Sequence, residues 1–312
     1  MVGFSGTTAP SSLLDSIRAG RVGSIILFSP NILSDRQVRA LTDQLQAAAR
    51  QGGNSPLLIS VDQEGGTIKR FAGAPPDRSP PQMASSGNPS VAFDEGSKTG
   101  RHLTSVGVNV DLAPVVDVVS SPQSFIGHQG RSFGSDPKVV GSFAEQFVKG
   151  LQSAGTLATA KHFPGVGSAA VDTDNKLQQI NPSPKQRDDA LRPYRRLAPS
   201  VDLVMLATAI FPAYDSSSPA ALSRPVNRLL RQDVGFQGVT ITDALESPTG
   251  QASPAEAGVA AARAGTDILL FTDQAPGAFD ALKSAAQSGA LKRKDLETSY
   301  KRILDAKKSL TK

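Results

Sequence analysis

A single α/β domain over residues 1–312, folded as a (β/α)8 barrel of the TIM type, is what three features of this chain predict. Short runs rich in branched apolar residues recur eight times, the stretches between them carry helical spacing or Gly/Pro punctuation, and charged residues gather where several runs end. Parallel strands cannot be joined by tight turns and need helical crossovers, so strand and helix in alternation favour a parallel sheet. A closed barrel of this length is admissible as one domain, with an open doubly wound sheet as the alternative.

The eight runs cover residues 2–6, 23–29, 57–62, 108–114, 157–163, 203–211, 238–245 and 267–272. Between the second and third, residues 34–50 place Val38, Leu41 and Leu45 on one helical face, with Ser34 and Gln37 spaced as a capping box. The third run ends on Asp62. Ahead of the fifth, residues 137–155 show the apolar stripe Val139, Val140, Phe143, Phe147 and Leu151, and Gly155 stands where a helix stop is expected. In the fifth, Lys161 and His162 follow the apolar stretch from Leu157 to Ala160. The seventh delivers Asp243 directly after Val239, Thr240, Ile241 and Thr242. A last helix near 294–308 carries Leu296, Tyr300, Ile303 and Leu304. The Pro/Ser-rich segments 72–82 and 215–219 are expected as long rim loops, and no domain boundary or internal repeat is evident.

Composition narrows the classes of function. Hydrophobic residues at 39% and charged residues at 20% are ordinary for a globular chain that can bury a sizeable core. Thirty-three lysines and arginines against 28 aspartates and glutamates give a net charge of +5, spread along the chain. No basic stretch interleaves with aromatic residues, which make up 5%, so no nucleic-acid partner is expected. No apolar run approaches a membrane span. The chain has no cysteine, which excludes disulfides and thiol nucleophiles without locating the protein. It opens on the strand-like MVGFSG, as though an upstream segment had been removed, so a secreted or lipid-anchored, extracytoplasmic placement is favoured over a cytoplasmic one. A monomer is expected.

Asp62, Arg70, Arg131, Lys161, His162 and Asp243 all fall at or just after predicted strands. In a barrel those positions converge at one mouth, as in a carbohydrate or phosphate pocket. Asp243 taken alone could instead cap the next helix. The segment 161–175 adds Asp172 and Asp174 beyond a small-residue loop, setting a basic pair against an acidic pair.

Other chemistries leave weaker marks. GVGSAA at 165–170 matches a Gly-x-Gly-x-x-Ala dinucleotide loop, with Asp188 at about the distance of a ribose-binding acid, but no apolar-faced helix follows. Lys161 at a strand end permits a Schiff-base aldolase. Only His102, His128 and His162 are present, without helical His-x-x-x-His spacing, so no metal and no other cofactor is expected. His102 is placed in a helix and His128 in a Gly-rich loop. Neither a Gly-x-Ser-x-Gly elbow nor a phosphate-binding Gly-x-x-x-x-Gly-Lys-Ser/Thr run occurs.

Four segments, VDQEGGTIKRF (61–71), GRSFGSDP (130–137), KHFPGVG (161–167) and GVTITDAL (238–245), resemble the motifs of glycoside hydrolase family 3, and more narrowly its single-domain β-N-acetylglucosaminidase branch. The resemblance implies a retaining β-glycosidase acting on cell-wall-type fragments, with Asp243 as the nucleophile that forms a glycosyl-enzyme. It also implies that Asp62, Arg70, Arg131, Lys161 and His162 hold the sugar through its hydroxyls.

The second catalytic group departs from that pattern. The branch carries Asp-Ser-His where this chain has Asp172, Thr173 and Asp174, with the histidine as acid/base and the first aspartate orienting it. Val166, Thr208 and Ala244 also replace two histidines and an acidic residue. Three outcomes stay open: Asp174 is the acid/base, its pKa raised by repulsion from Asp172; the site binds sugar but turns it over poorly; or Glu64 or Glu246 serves instead.

Overall fold

The computed structural model describes residues 1–275 and 277–310. Six parallel strands form its main sheet, in the order β1 (Ser24–Ile26), β2 (Leu58–Val61), β3 (Val110–Asp111), β4 (Leu157–Phe163), β5 (Leu203–Leu206) and β6 (Val239–Thr242). Each pairs with its neighbour in the chain, so the sheet curls in one direction. The first and last predicted runs appear as single parallel bridges: Val2 to both Ile25 and Phe271, and Ile268 to Ile241. The run 2–6 is too short and glycine-rich for a longer ladder; Gly6 turns it away at φ +89°.

Helices join consecutive strands. They are α1 (Ser11–Arg18), α2 (Asp35–Gln51), α3 (Ser90–Ser105), α4 (Pro137–Ser153), α5 (Pro184–Leu197), α6 (Arg224–Arg228) and α7 (Pro254–Ala264), with α8 (Ala278–Gln287) and α9 (Arg293–Ser309) closing the described chain. Predicted α2 and α4 stand as expected. Val38, Leu41 and Leu45 are buried, and so are Val140, Phe143, Phe147 and Leu151. The Ser34 side chain accepts from the Gln37 amide at 3.2 Å, but the Gln37 carboxamide returns to the Leu33 amide at 2.9 Å, one residue short of a full capping box.

Two expectations change. Segment 215–219 is not a loop: Asp215–Pro219 pairs antiparallel with Ile210–Phe211, which is itself split from β5. The fifth run, by contrast, forms β4 over its full predicted length, with Lys161 and His162 near its C-terminal end. On α9, Leu296 and Tyr300 face solvent while Ile303 and Ala306, followed by Leu310, pack on the inner cluster, because only the C-terminal half of that helix meets it.

The two faces of the sheet bury separate apolar sets. Ile26, Leu58, Val110, Leu112, Leu157, Leu203, Met205, Val239, Ile241, Ile268 and Leu270 pack on the concave face, while alternate residues such as Ile25, Ile59 and Val204 pack under the helices. A strand has a side-chain period of two, so each concave series continues at its C-terminal end with the same parity. From Leu58 it runs through Ser60 to Asp62, from Leu157 through Thr159 to Lys161, and from Val239 through Ile241 to Asp243. The pattern that fills the core thus places two carboxylates and an amine at the top of it.

Candidate active site

A cavity of about 190 Å³ opens there, floored by Ile26, Leu112, Met205 and Leu270 and walled by the charged residues. All eight predicted site residues line it: Asp62, Arg70, Arg131, Lys161, His162, Asp172, Asp174 and Asp243.

One wall is an ion-pair cluster built from three of the sequence motifs. After β2 the chain makes a hairpin, Gln63–Gly65 against Ile68–Lys69, turning through Gly65 and Gly66 at φ +95° and +62°, backbone that a side chain rarely tolerates. The buried Gln63 carboxamide pins it by donating to Phe71 and Pro75 carbonyls at 3.0 and 2.8 Å. The hairpin returns Arg70 to Asp62, with Nη2 2.7 Å from Oδ2. Lys161 Nζ lies 2.7 Å from Asp62 Oδ1 and 2.7 Å from Glu64 Oε1. Arg131 grips Glu64 with both forks, at 2.8 and 2.7 Å. Burial pushes the Asp62 and Glu64 carboxyls up, but Lys161, with Arg70 on one and Arg131 on the other, outweighs it and holds both below the usual carboxylate range.

Lys161 is fully buried, which alone would lower its pKa, yet Asp62 and Glu64 keep it above the ordinary lysine value. An amine so held is protonated and cannot attack a carbonyl, so the aldolase alternative fails on charge. The cluster also makes a stability prediction. Lys161→Met leaves two adjacent buried carboxylates short of a partner, and chemical unfolding is expected to show a loss of about 3–5 kcal/mol. A loss below about 1 kcal/mol would mean the carboxylates do not depend on the lysine.

His162 is oriented by a residue the sequence analysis missed. Its Nδ1 lies 2.8 Å from Oδ2 of Asp117, which is fully buried, and the Val166 amide donates to Asp117 Oδ1 at 2.7 Å. The signal was present: Asp117 interrupts four valines, and a carboxylate in an apolar run is buried for a reason. A close approach makes the arrangement possible. A Cβ on Gly167 would sit 1.9 Å from the Val118 carbonyl oxygen, so only glycine lets segment 164–168 lie against 115–119.

That packing also disposes of the dinucleotide loop. Gly167 serves this contact and Gly165 a second one, against Ala190; no helix begins until α5, and Asp188 is half-exposed on α5, paired with Arg192 and Arg195 at 2.9 and 2.7 Å. His102 is on α3 as expected, against Phe71, while His128 ends a short helix, Phe125–His128. Among the described residues no group of three or more His, Cys, Asp or Glu could hold a metal ion, and no helix is long and apolar enough to cross a membrane.

The opposite wall holds the acidic residues. Asp243 leaves β6 with its amide bonded to the Leu206 carbonyl at 2.9 Å. Asp174 is exposed at the rim, but its carboxyl end is desolvated and accepts from the Ser247 hydroxyl at 3.0 Å. Its pKa is raised to about 6, chiefly by the Asp243 carboxylate and then by burial, with Asp172 a smaller contributor. The partner that raises it is therefore not the expected one. Asp172 instead accepts from the Asp174 amide at 3.0 Å and shapes the loop. The other candidate acids are occupied: Glu64 in the ion-pair cluster, and Glu246 by the Thr272 amide at 2.9 Å. Val166 and Ala244 line the cavity, while the Thr208 hydroxyl is buried with no hydrogen-bond partner among the described residues.

A carboxyl with a raised pKa facing a second carboxylate, over a wall of paired cations, is the equipment of a glycoside hydrolase. The description "Glycosyl hydrolase family 3 N terminal domain" matches residues 9–306, and the chain belongs to glycosyl hydrolase family 3. It is β-N-acetylhexosaminidase-like within that family. A β-hexosaminidase of Alkalilimnicola ehrlichii is 35% identical over 87% of this chain and 79% of its own length. An uncharacterized secreted glycosyl hydrolase of Arthroderma benhamiae is 34% identical over 97% of this chain and 89% of its own. Among solved structures, a family 3 β-N-acetylglucosaminidase from a Paenibacillus species superposes with a TM-score of 0.94 at 33% identity over 100% of this chain, which spans 61% of that longer chain. A β-N-acetylhexosaminidase from Beutenbergia cavernae does so at 0.88 and 30%, covering 98% of this chain and 95% of the other.

Proposed function

We propose that the protein is a retaining β-N-acetylglucosaminidase in which Asp243 attacks the anomeric carbon and Asp174 is the acid/base. The observation that carries this is the raised pKa of Asp174 and its cause, the Asp243 carboxylate. While Asp243 is anionic, Asp174 holds a proton to near pH 6 and can give it to the departing glycosidic oxygen. Once Asp243 is esterified to the sugar its charge is gone, the pKa of Asp174 falls, and the same group takes a proton from the incoming water. Carboxyl therefore does the work that the family assigns to imidazole. Asp62, Arg70, Arg131, Lys161 and His162 hold the sugar, and Asp172 shapes the acid-bearing loop. The names of the relatives support the N-acetylglucosaminide; the residue geometry supports a polyhydroxylated ligand.

The acidic wall also favours water over phosphate as acceptor. Arg70, Arg131 and Lys161 are paired with Asp62 and Glu64, and Asp172, Asp174 and Asp243 add negative charge at the mouth. A phosphate dianion would meet an ionised Asp174 when it attacks the glycosyl-enzyme. Adding inorganic phosphate is expected to leave turnover unchanged, with free sugar as the product. Formation of a sugar 1-phosphate would overturn this part of the reading.

The test of the whole is a panel of aryl β-N-acetylglucosaminides and β-glucosides with good and poor leaving groups. Hydrolysis of the former series with retention at the anomeric centre is expected. We also infer that the six strands and the bridges at Val2 and Ile268 close one eight-membered barrel domain, and that the protein works outside the cytoplasm, as its secreted relative supports.

A further inference from the structure

We propose that Ser247 is the positioning residue of the acid, latching the loop that carries Asp174 onto the turn that carries Asp243. This rests on the reading of Asp174 as acid/base. Ser247 is buried, and its hydroxyl donates to Asp174 Oδ1 at 3.0 Å, the one hydrogen bond to that carboxyl among the described residues. It stands four residues beyond Asp243 in the same turn, its amide bonded to the Ala244 carbonyl at 3.2 Å. That turn is fastened to the segment ending at Thr272: the Leu245 amide donates to the Leu270 carbonyl at 3.0 Å, and Glu246 Oε1 accepts from the Thr272 amide at 2.9 Å.

The acid-bearing loop is closed on itself but otherwise loosely held. Gln178 clamps its base, donating to the Val171 carbonyl at 2.6 Å and accepting from the Val171 amide at 3.3 Å, and Asp172 is used inside the loop on the Asp174 amide. Nothing within the loop orients the Asp174 carboxyl. Ser247 does so from outside, and because its donation occupies Oδ1, the transferable proton is left on Oδ2. The charged or titratable groups facing Asp174 are Asp243, Asp172 and His162; the Ser247 bond acts against the two carboxylates by favouring the ionised form. The latch thus sets both where the acid points and how strongly it holds its proton.

The experiment compares Ser247→Ala, Ser247→Thr, Asp174→Asn and the Ser247→Ala/Asp174→Asn double variant on a poor and a good leaving group. For Ser247→Ala, kcat/KM on the poor leaving group is expected to fall about tenfold, the scale of one lost hydrogen bond to a charged group, while the good leaving group changes little. The upper limb of its pH profile moves to higher pH, threonine restores both, and the alanine change has no further effect once Asp174 is asparagine. Equal losses on both substrates, an unmoved pH limb, or full additivity in the double variant would overturn the latch while leaving Asp174 in its role. An Asp174→Asn variant with unimpaired hydrolysis of the poor leaving group would instead overturn the acid/base assignment, and the latch with it.

Discussion

Asp243→Asn is expected to lower turnover by about 10³-fold or more on every aryl glycoside, whatever its leaving group, because an amide cannot form the glycosyl ester that both half-reactions share. The loss should come without loss of fold, since Asp243 takes part in none of the buried ion pairs that hold the other wall. Two measurements check it. A slow 2-fluoro sugar with a good leaving group should add its mass to a peptide containing Asp243 in the native protein and to no peptide of the variant. Titration should also show the pKa of Asp174 falling from about 6 toward the ordinary carboxylate value, since the largest cause of its elevation has been removed. Labelling of another residue would overturn the assignment of the nucleophile.

Asp174→Asn should give the contrasting signature. Hydrolysis of poor leaving groups is expected to fall about 10²–10⁴-fold, while activated aryl glycosides, whose departure needs no proton, still form the glycosyl-enzyme. Water then attacks slowly for want of a base, and azide, which needs none, restores turnover. The pH profile follows from the direction of the shift. The acid must be protonated, and its pKa lies near 6, so kcat/KM of the native protein on a poor leaving group declines as pH rises through about 6. Asparagine does not titrate, and the variant should lose that limb. If the limb persisted in the variant, another group would be supplying the proton.

Much of the site was legible in the chain because strands impose a simple rule. Asp62, Lys161 and Asp243 each end an alternating series, and alternate side chains share a face, so a run that fills the core also aims its last polar residue at the mouth. Arg70 and Arg131 were legible through the segments 61–71 and 130–137 that carry the family resemblance. Asp117 was passed over although it breaks a valine run, since a carboxylate flanked by apolar residues gives no hint of which imidazole it will meet. The strand count was overestimated at the edges, where residues 2–6 and 267–272 make single bridges and not ladders, and the segment 215–219 looked like a loop because its serines lack the branched side chains that mark a strand.

The sequence alone determined the alternation of strand and helix, the parity that sends particular residues to the concave face, and the acidic pair Asp172 and Asp174 beyond the fifth predicted run. These follow from local periodicity and residue identity, which need no partner. Tertiary structure decided what Asp174 can do. Its neighbour two residues away, Asp172, turns out to shape the backbone, while Asp243, 69 positions further along the chain by subtraction of their numbers, supplies the field that raises its pKa, and Ser247 supplies its hydrogen bond. Coulomb energy and desolvation depend on distance through the folded protein and not along the chain, so a pKa, unlike a strand, is set only when the sheet has brought its ends together.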